Sequence, residues 1–280
     1  TTCDGKKKMF ELMADIKPLH LMQLPYSSSL PASIEYWYAE VLRLKAFLEE
    51  QIGKSIEQEE VSRQIKLYNR IRESFQDIMQ FNQSDREPVS GLELLGVMES
   101  KGFVIDPEKY LLQLDELVRD LDACHGHNRD LSQRPRILLT GTPLGMGSEK
   151  VLRLIEDLGG VVVCMENCSG IKGIYNPVDE TDPDPYWAIA KRYLDTPCSC
   201  MSPNKGRFDL ISRLIEDFRI DGVVDLSWQN CLTYHIESTN LKRLVERQCG
   251  IPYIHISTDY SRSDTGQLEV RLEAFLELVR

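Results

Sequence analysis

The chain has 280 residues, 42% apolar and 28% charged, with a formal net charge of −11, a balance suited to one large or two modest folded domains. The acidic surplus argues against non-specific nucleic-acid binding, which depends on clustered positive charge, and no apolar run is long enough to cross a bilayer as a helix. Eight cysteines are few for a disulfide framework of this size, so with no secretory mark the expected compartment is a reducing cytoplasm, where thiols are buried, catalytic or metal-bound.

The chain opens Thr1-Thr2-Cys3-Asp4, without an initiator Met, and is expected to be cut from a longer protein. Lys6-Lys7-Lys8 leads into Met9, Phe10, Leu12, Met13 and Ile16, which reads as a helix over 5–18 stopped by Pro18. The apolar run His20 to Leu24, ended by Pro25, reads as a short strand. From Ile34 to about Phe81 the apolar residues recur at three- and four-residue spacing, the mark of amphipathic helices. Two further helices are expected over 91–99 and 107–121. Residues 26–130 thus form a largely helical layer.

The grammar then changes. Arg136 to Gly141 is a compact β run, 149–158 an amphipathic helix, 161–165 a second strand, and 205–218 a helix. Strands follow at 221–226 and 251–257, with helices at 239–248 and 267–279. Strands alternating with helices imply right-handed crossovers and a parallel sheet. Residues 131–280 are therefore expected to be an open, doubly wound α/β domain.

Five cysteines fall where such a sheet binds ligands, on turns outside the carboxyl ends of its strands or just before helices. Cys168 follows the second strand, Cys231 follows the third, Cys198 and Cys200 precede a helix, and Cys3 precedes the first helix. Scattered single thiols suit neither the paired Cys-x-x-Cys knuckles of structural zinc nor a thioredoxin-like couple; thiolate is the natural ligand of an iron–sulfur cluster. Cys164, inside a Val-rich strand, reads as a small core residue, Cys249 as a helix-end residue, and Cys124-His125-Gly126-His127 as a polar inter-domain loop.

Gly141, Gly145 and Gly147 lie in a strand-to-helix turn that lacks the Gly-Lys-Ser/Thr ending of a phosphate loop and also fails the dinucleotide fingerprint. Their amides could face a cluster sulfide or an anion, or simply make the turn. No nucleotide site of the chain's own is expected. The lysines at 6–8 suit charge compensation for an anionic cluster, or only a solvated helix start. His235 and Glu237, on a helix after Cys231, are candidate acid/base groups, and Thr258-Asp259-Tyr260-Ser261 is a further site-like stretch.

Thr1-Thr2-Cys3-Asp4-Gly5-Lys6-Lys7-Lys8, Glu166-Asn167-Cys168-Ser169-Gly170, Cys198-Ser199-Cys200-Met201-Ser202-Pro203-Asn204 and Gln229-Asn230-Cys231 together resemble the 2-hydroxyacyl-CoA dehydratase and benzoyl-CoA reductase superfamily. Within it the chain is most similar to the double-cubane cluster proteins. The resemblance spans essentially the whole chain. It implies two Rossmann-like parallel-sheet domains joined by a helical segment, with the cluster in the interdomain cleft, residues 1–25 being a remnant of the first domain.

By motif position, Cys3 and Cys231 match ligands common to the superfamily, while Cys168, Cys198 and Cys200 match the richer set of the double-cubane branch. The implied protein is an anaerobic, homodimeric oxidoreductase component with an 8Fe-9S cluster. It would receive electrons from a separate ATP-hydrolysing iron–sulfur reductase and reduce a small molecule, with no nucleic-acid or membrane partner. The alternatives are a 2-hydroxyacyl-CoA dehydratase subunit, in which a single 4Fe-4S cluster supports a ketyl-radical elimination, and a non-catalytic electron-transfer or cluster-storage module.

Overall fold

The structure, a computed structural model, describes residues 3–83, 89–123 and 133–280. Two compact units share the chain: Thr1–Asn69 with Asn176–Gly206, and Arg70–Tyr175 with Arg207–Arg280. Each unit is thus assembled from two separated stretches of sequence. This division differs from the consecutive segments 1–25, 26–130 and 131–280 expected from the pattern of residues.

The first unit is helical. Helix α1 is Asp4–Met13 and α2 is Pro31–Ile52, the latter with proline in its first turn and Gly53 in the left-handed conformation at its end. Helix α3, Gln58–Phe81, begins in this unit. Helix α7, Pro185–Leu194, packs on α2. Trp37 and Val41 of α2 meet Ala190 and Leu194 of α7 and Met201 beyond it in one apolar cluster.

Two expectations fail here. Residues 20–24 form no strand: the run is short and no neighbouring strand among the described residues supplies a hydrogen-bond ladder, so apolar content alone does not make it β. Helix α1 ends at Met13, earlier than the stop expected at Pro18. Helix α7 was not expected at all.

The second unit carries the sheet. Strands β1 (Arg136–Gly141), β2 (Val161–Glu166), β3 (Gly222–Trp228) and β4 (Tyr253–Thr258) form a four-stranded sheet of order β2-β1-β3-β4. All three pairings are parallel. Nearly every residue of β1, β2 and β3 is buried, which is why these strands read as unbroken apolar runs instead of alternating ones.

The crossovers include α6 (Lys150–Asp157), α8 (Lys205–Asp217) and α9 (Leu232–Leu244), with α10 (Thr265–Val279) closing the chain. Helix α9 begins well before the expected 239 and ends in a π turn, Val245–Cys249. Helices α4 (Gly91–Ser100) and α6 pack on β2, while α9 packs on β3 and β4. Helix α5 is Pro107–Ala123. No helix among the described residues is long and apolar enough to cross a membrane.

In the order β2-β1-β3-β4 the chain connections leaving β1 and β3 run toward opposite edges of the sheet, and the crevice outside the carboxyl ends of two such strands is the place where open α/β sheets bind ligands. The turns bearing Cys168 and Cys231 leave the sheet at this end.

Candidate metal centre

In the first unit Cys198 and Cys200 are hydrogen-bonded to one another on a single turn, and Cys3 lies near enough to add to the charge that Cys200 feels. Asp184 caps α7, accepting from the amides of Tyr186 and Trp187, and Pro185 takes the first turn, where its missing N–H costs nothing. The helix ends at Leu194, and the chain turns through Cys198–Met201, closed by the Met201 amide donating to the Cys198 carbonyl at 2.9 Å. Met201 is buried in the apolar cluster of Trp37, Val41 and Leu194. The Ser202 amide donates to the Tyr26 carbonyl at 2.7 Å. The two thiols are therefore carried on a turn pinned by one buried side chain.

Cys3 is the cap residue of α1, its carbonyl accepting from the Lys7 amide at 3.0 Å. The hydrogen bond to Cys198, then burial, then the nearby charges of Cys198 and Cys3 drive the Cys200 thiol far above its ordinary range. A negative charge on a neighbouring sulfur disfavours a second one at Cys200, so the Cys200 thiol holds its proton.

In the second unit Cys168 sits on a tight turn directly after β2. The Gly170 amide donates to the Asn167 carbonyl at 3.1 Å, and Ser169 Oγ donates to the Leu144 carbonyl. Gly170 has no substitute here: a Cβ would stand 2.0 Å from the Met165 carbonyl oxygen. The turn buries the Asn167 side chain and exposes Cys168. Both polar atoms of that Asn167 amide lack a hydrogen-bond partner among the described residues.

Cys231 caps α9, following Asn230, whose φ of 68° lies in the left-handed region that Asn tolerates. Its amide donates to the Trp228 carbonyl at 3.0 Å. Cys3 and Cys231 thus both stand where a helix presents unpaired amides and the positive end of its dipole, a setting that favours anionic ligands. Cys164 is fully buried in β2, and burial raises its thiol pKa, as fits a core residue. None of the described cysteines forms a disulfide. Among the described residues, no group of three or more His, Cys, Asp and Glu side chains forms a site for a single metal ion.

Beneath the Cys168 turn lies a charged network that sequence reasoning missed. Strand register aligns Glu166, Thr140, Asp225 and His255 in one row across the sheet. Glu166 Oε1 meets Lys172 Nζ at 2.9 Å, and its Oε2 meets Arg207 Nε at 3.2 Å, all three side chains being essentially inaccessible. Thr140 Oγ1 donates to Glu166 Oε2 at 2.5 Å and accepts from Arg207 Nη2 at 2.9 Å. Arg207 Nη1 also donates to Glu237. Lys172 Nζ donates to the Tyr234 hydroxyl at 2.9 Å.

Burial alone would raise the Glu166 pKa, yet Lys172 and Arg207 outweigh it and hold the carboxyl ionised. Asp225 goes the other way. Burial pushes its pKa up to about 6 against the partial opposition of Arg207 and Tyr253, with Glu166 and Glu237 adding repulsion. The Tyr253 hydroxyl faces both Asp225 Oδ2, at 2.6 Å, and the Ser238 carbonyl, at 3.2 Å. One hydroxyl proton cannot serve two acceptors fully, and a protonated Asp225 would satisfy both contacts. The sequence signal was an Asp inside Val223-Val224-Asp225-Leu226 and a Glu ending a Val-rich strand: charges placed where only partners could make them tolerable.

Glu237 therefore serves Arg207. His235 is exposed and stands edge-on to His255 at 5.0 Å between ring centroids. Gly141, at φ 105°, ends β1 against the Leu226 carbonyl, where a Cβ would come within 2.0 Å. The Gly145 amide donates to Ser148 Oγ and the Gly147 amide to Glu149, so the loop's own side chains occupy these amides, which favours its role as a turn. Tyr260 packs on Trp228, and Thr258 Oγ1 donates to Asp264 at 2.5 Å. Lys6, Lys7 and Lys8 lie on α1; Cys124, His125, Gly126 and His127 lie outside the described residues.

Taken together, the structure is that of an α/β protein with a parallel sheet, cysteines on the turns outside its strand ends, and two further cysteines on a turn of the helical unit. The comparison with known families is specific. Residues 1–279 match the family "2-hydroxyglutaryl-CoA dehydratase, D-component", and the chain belongs to it. It is 44% identical to "Putative dehydratase subunit YjiM" of Escherichia coli (strain K12), over all of this chain and 73% of that protein. It is 20% identical to the (R)-phenyllactyl-CoA dehydratase beta subunit of Clostridium sporogenes, over 98% of this chain and 72% of that one. It is 21% identical to the beta subunit of (R)-2-hydroxyglutaryl-CoA dehydratase from Acidaminococcus fermentans, over 98% of this chain and 73% of that one.

Proposed function

We propose that the chain is the iron–sulfur subunit of a low-potential reductase, carrying a double-cubane 8Fe-9S cluster on thiolates from Cys3, Cys168, Cys198, Cys200 and Cys231. The observation that carries this reading is the pair Cys198 and Cys200, hydrogen-bonded on one turn, with Cys3 close enough to add to the charge that Cys200 feels. Such a donor set fits an iron–sulfur core: thiolate is its usual ligand, and iron would take the place of the proton that Cys200 retains.

When bound, the cluster would supply one-electron reduction at low potential. This chain's cysteines would hold it; Cys3 and Cys231 each begin a helix, where free amides favour an anionic group, and Cys168 is exposed on a turn braced from below. A partner reductase that hydrolyses ATP would deliver the electrons, and the working assembly would be a dimer. The substrate would be a small molecule.

Anaerobic reconstitution with iron and sulfide tests the reading. About eight irons per chain is the expected result, and Cys3→Ser, Cys200→Ser and Cys231→Ser should each lower the iron content and alter the visible spectrum. A wild-type chain that takes up no iron and sulfide sinks the proposal.

The names of the Clostridium and Acidaminococcus relatives favour a second reading, a 2-hydroxyacyl-CoA dehydratase subunit with a single 4Fe-4S cluster. About four irons per chain, with loss of water from an (R)-2-hydroxyacyl-CoA once an activating reductase is added, would decide for it.

A further inference from the structure

Two ammonium groups lie near the Cys168 turn, and they differ in kind. Lys172 is buried and its charge is matched by Glu166 at 2.9 Å. Lys101, which opens the short helical turn Lys101–Phe103 after α4, reaches the same loop from another element. Its Nζ donates to the Cys168 carbonyl at 3.4 Å, its one hydrogen bond among the described residues. It also lies over Gly173, where a Cβ would stand 3.2 Å from Nζ, so the absent side chain there leaves room for the ammonium. Burial lowers the Lys101 pKa, and the charges of Cys168 and Glu99 work against that fall.

A cation in this place bears on any negative charge added at Cys168. At partial burial, where the effective dielectric constant is far below that of water, one charge a few ångströms away shifts an electron-transfer equilibrium substantially. We propose that Lys101 is a positioning residue for Cys168: it fixes the carbonyl of the Cys168 turn and favours the reduced state of the metal group that Cys168 helps to hold. This inference rests on the iron–sulfur reading above. The step concerned is the uptake of one electron by the oxidised cluster, with no proton transferred to Lys101.

The test is a redox titration of the reconstituted full chain with titanium(III) citrate, followed by EPR. Lys101→Met should lower the ratio of reduced to oxidised cluster at fixed potential by about tenfold, which is 59 mV for one electron, with iron content unchanged. Lys101→Arg, which keeps the charge, should restore most of the wild-type potential. Lys66→Met, on an exposed position of α3, controls for net charge and should leave the potential where it was. If Lys101→Met loses iron while Lys101→Arg keeps both iron and potential, the positioning role is supported. An unchanged potential in fully loaded Lys101→Met overturns the inference, as does equal loss of iron from Lys101→Met and Lys101→Arg. Wild-type protein that binds no iron fails the underlying reading instead, and the two failures are thereby distinct.

Discussion

The turn bearing Cys198 and Cys200 and the turn bearing Cys168 are anchored by opposite means. The first is anchored by an apolar side chain: Met201 enters a cluster with Trp37, Val41 and Leu194, and backbone hydrogen bonds finish the turn. The second stands on buried charge, Glu166 between Lys172 and Arg207, with Thr140 and Glu237 completing the network. Apolar packing is non-directional and insensitive to pH, so it places a turn without fixing its orientation sharply. A buried ion network is directional, and it fails hard when a member is lost.

Breaking the charged anchor should have the largest effect. Arg207→Met takes from Glu166 one of its two buried cations, leaving Lys172, and takes from Glu237 its buried partner; a cost of about 3–5 kcal/mol is expected, measured by urea denaturation at pH 7. A loss below about 1 kcal/mol would mean that the network is not a structural anchor.

The same anchor should carry a pH signature that the apolar one lacks. Asp225 binds its proton at about pH 6 when folded against 3.8 as the ordinary value. The folded state therefore holds more protons across that window, and stability falls as pH rises through it. The shift corresponds to on the order of 3 kcal/mol. Asp225→Asn should flatten the fall, matching the wild type near the acid end of the window and exceeding it near neutrality. Stability profiles that run parallel from acid to neutral pH would contradict the protonated state of Asp225.

Met201→Ala tests the apolar anchor. Removal of a buried Met side chain is expected to cost about 2–3 kcal/mol, with little dependence on salt or pH. Thiol alkylation at Cys198 and Cys200 should quicken as the turn loosens, while Cys168 is unaffected. The smallest effect sharpens the same side of the comparison. Asp184→Ala removes the cap of α7 and the partner of the Tyr38 hydroxyl, and a loss of about 1 kcal/mol is expected, seen as a modest fall in thermal midpoint.

How much of this was legible in the residues varies by element. Strands β1, β2 and β3 were, because strands buried on both faces leave continuous apolar runs that few other structures produce, Val161 to Cys164 above all; β4 is only partly buried and was legible from its place after a helix in the alternating pattern. The start of α7 was written in Asp184-Pro185, a cap and a first-turn proline, yet the aromatic-rich segment after it carries no clean period. Residues 20–24 misled in the opposite sense, since apolar character says that a segment is covered and not what covers it. The thiols on the turns could be located from strand ends alone. That Cys3 lies near Cys198 and Cys200 could not, because it depends on how α1 meets a loop almost two hundred positions away in sequence.

The sequence by itself determined the parallel sheet, the turns on which the cysteines stand and, through its motifs, the family. Those are consequences of local pattern: apolar periodicity, punctuation by glycine and proline, and spacing. Only the tertiary structure decided that Glu166, Lys172, Arg207 and Asp225 share one buried network and that Lys101 reaches the Cys168 turn. Electrostatic partnership depends on distance in space and on exclusion from water, and neither quantity exists until the chain has folded.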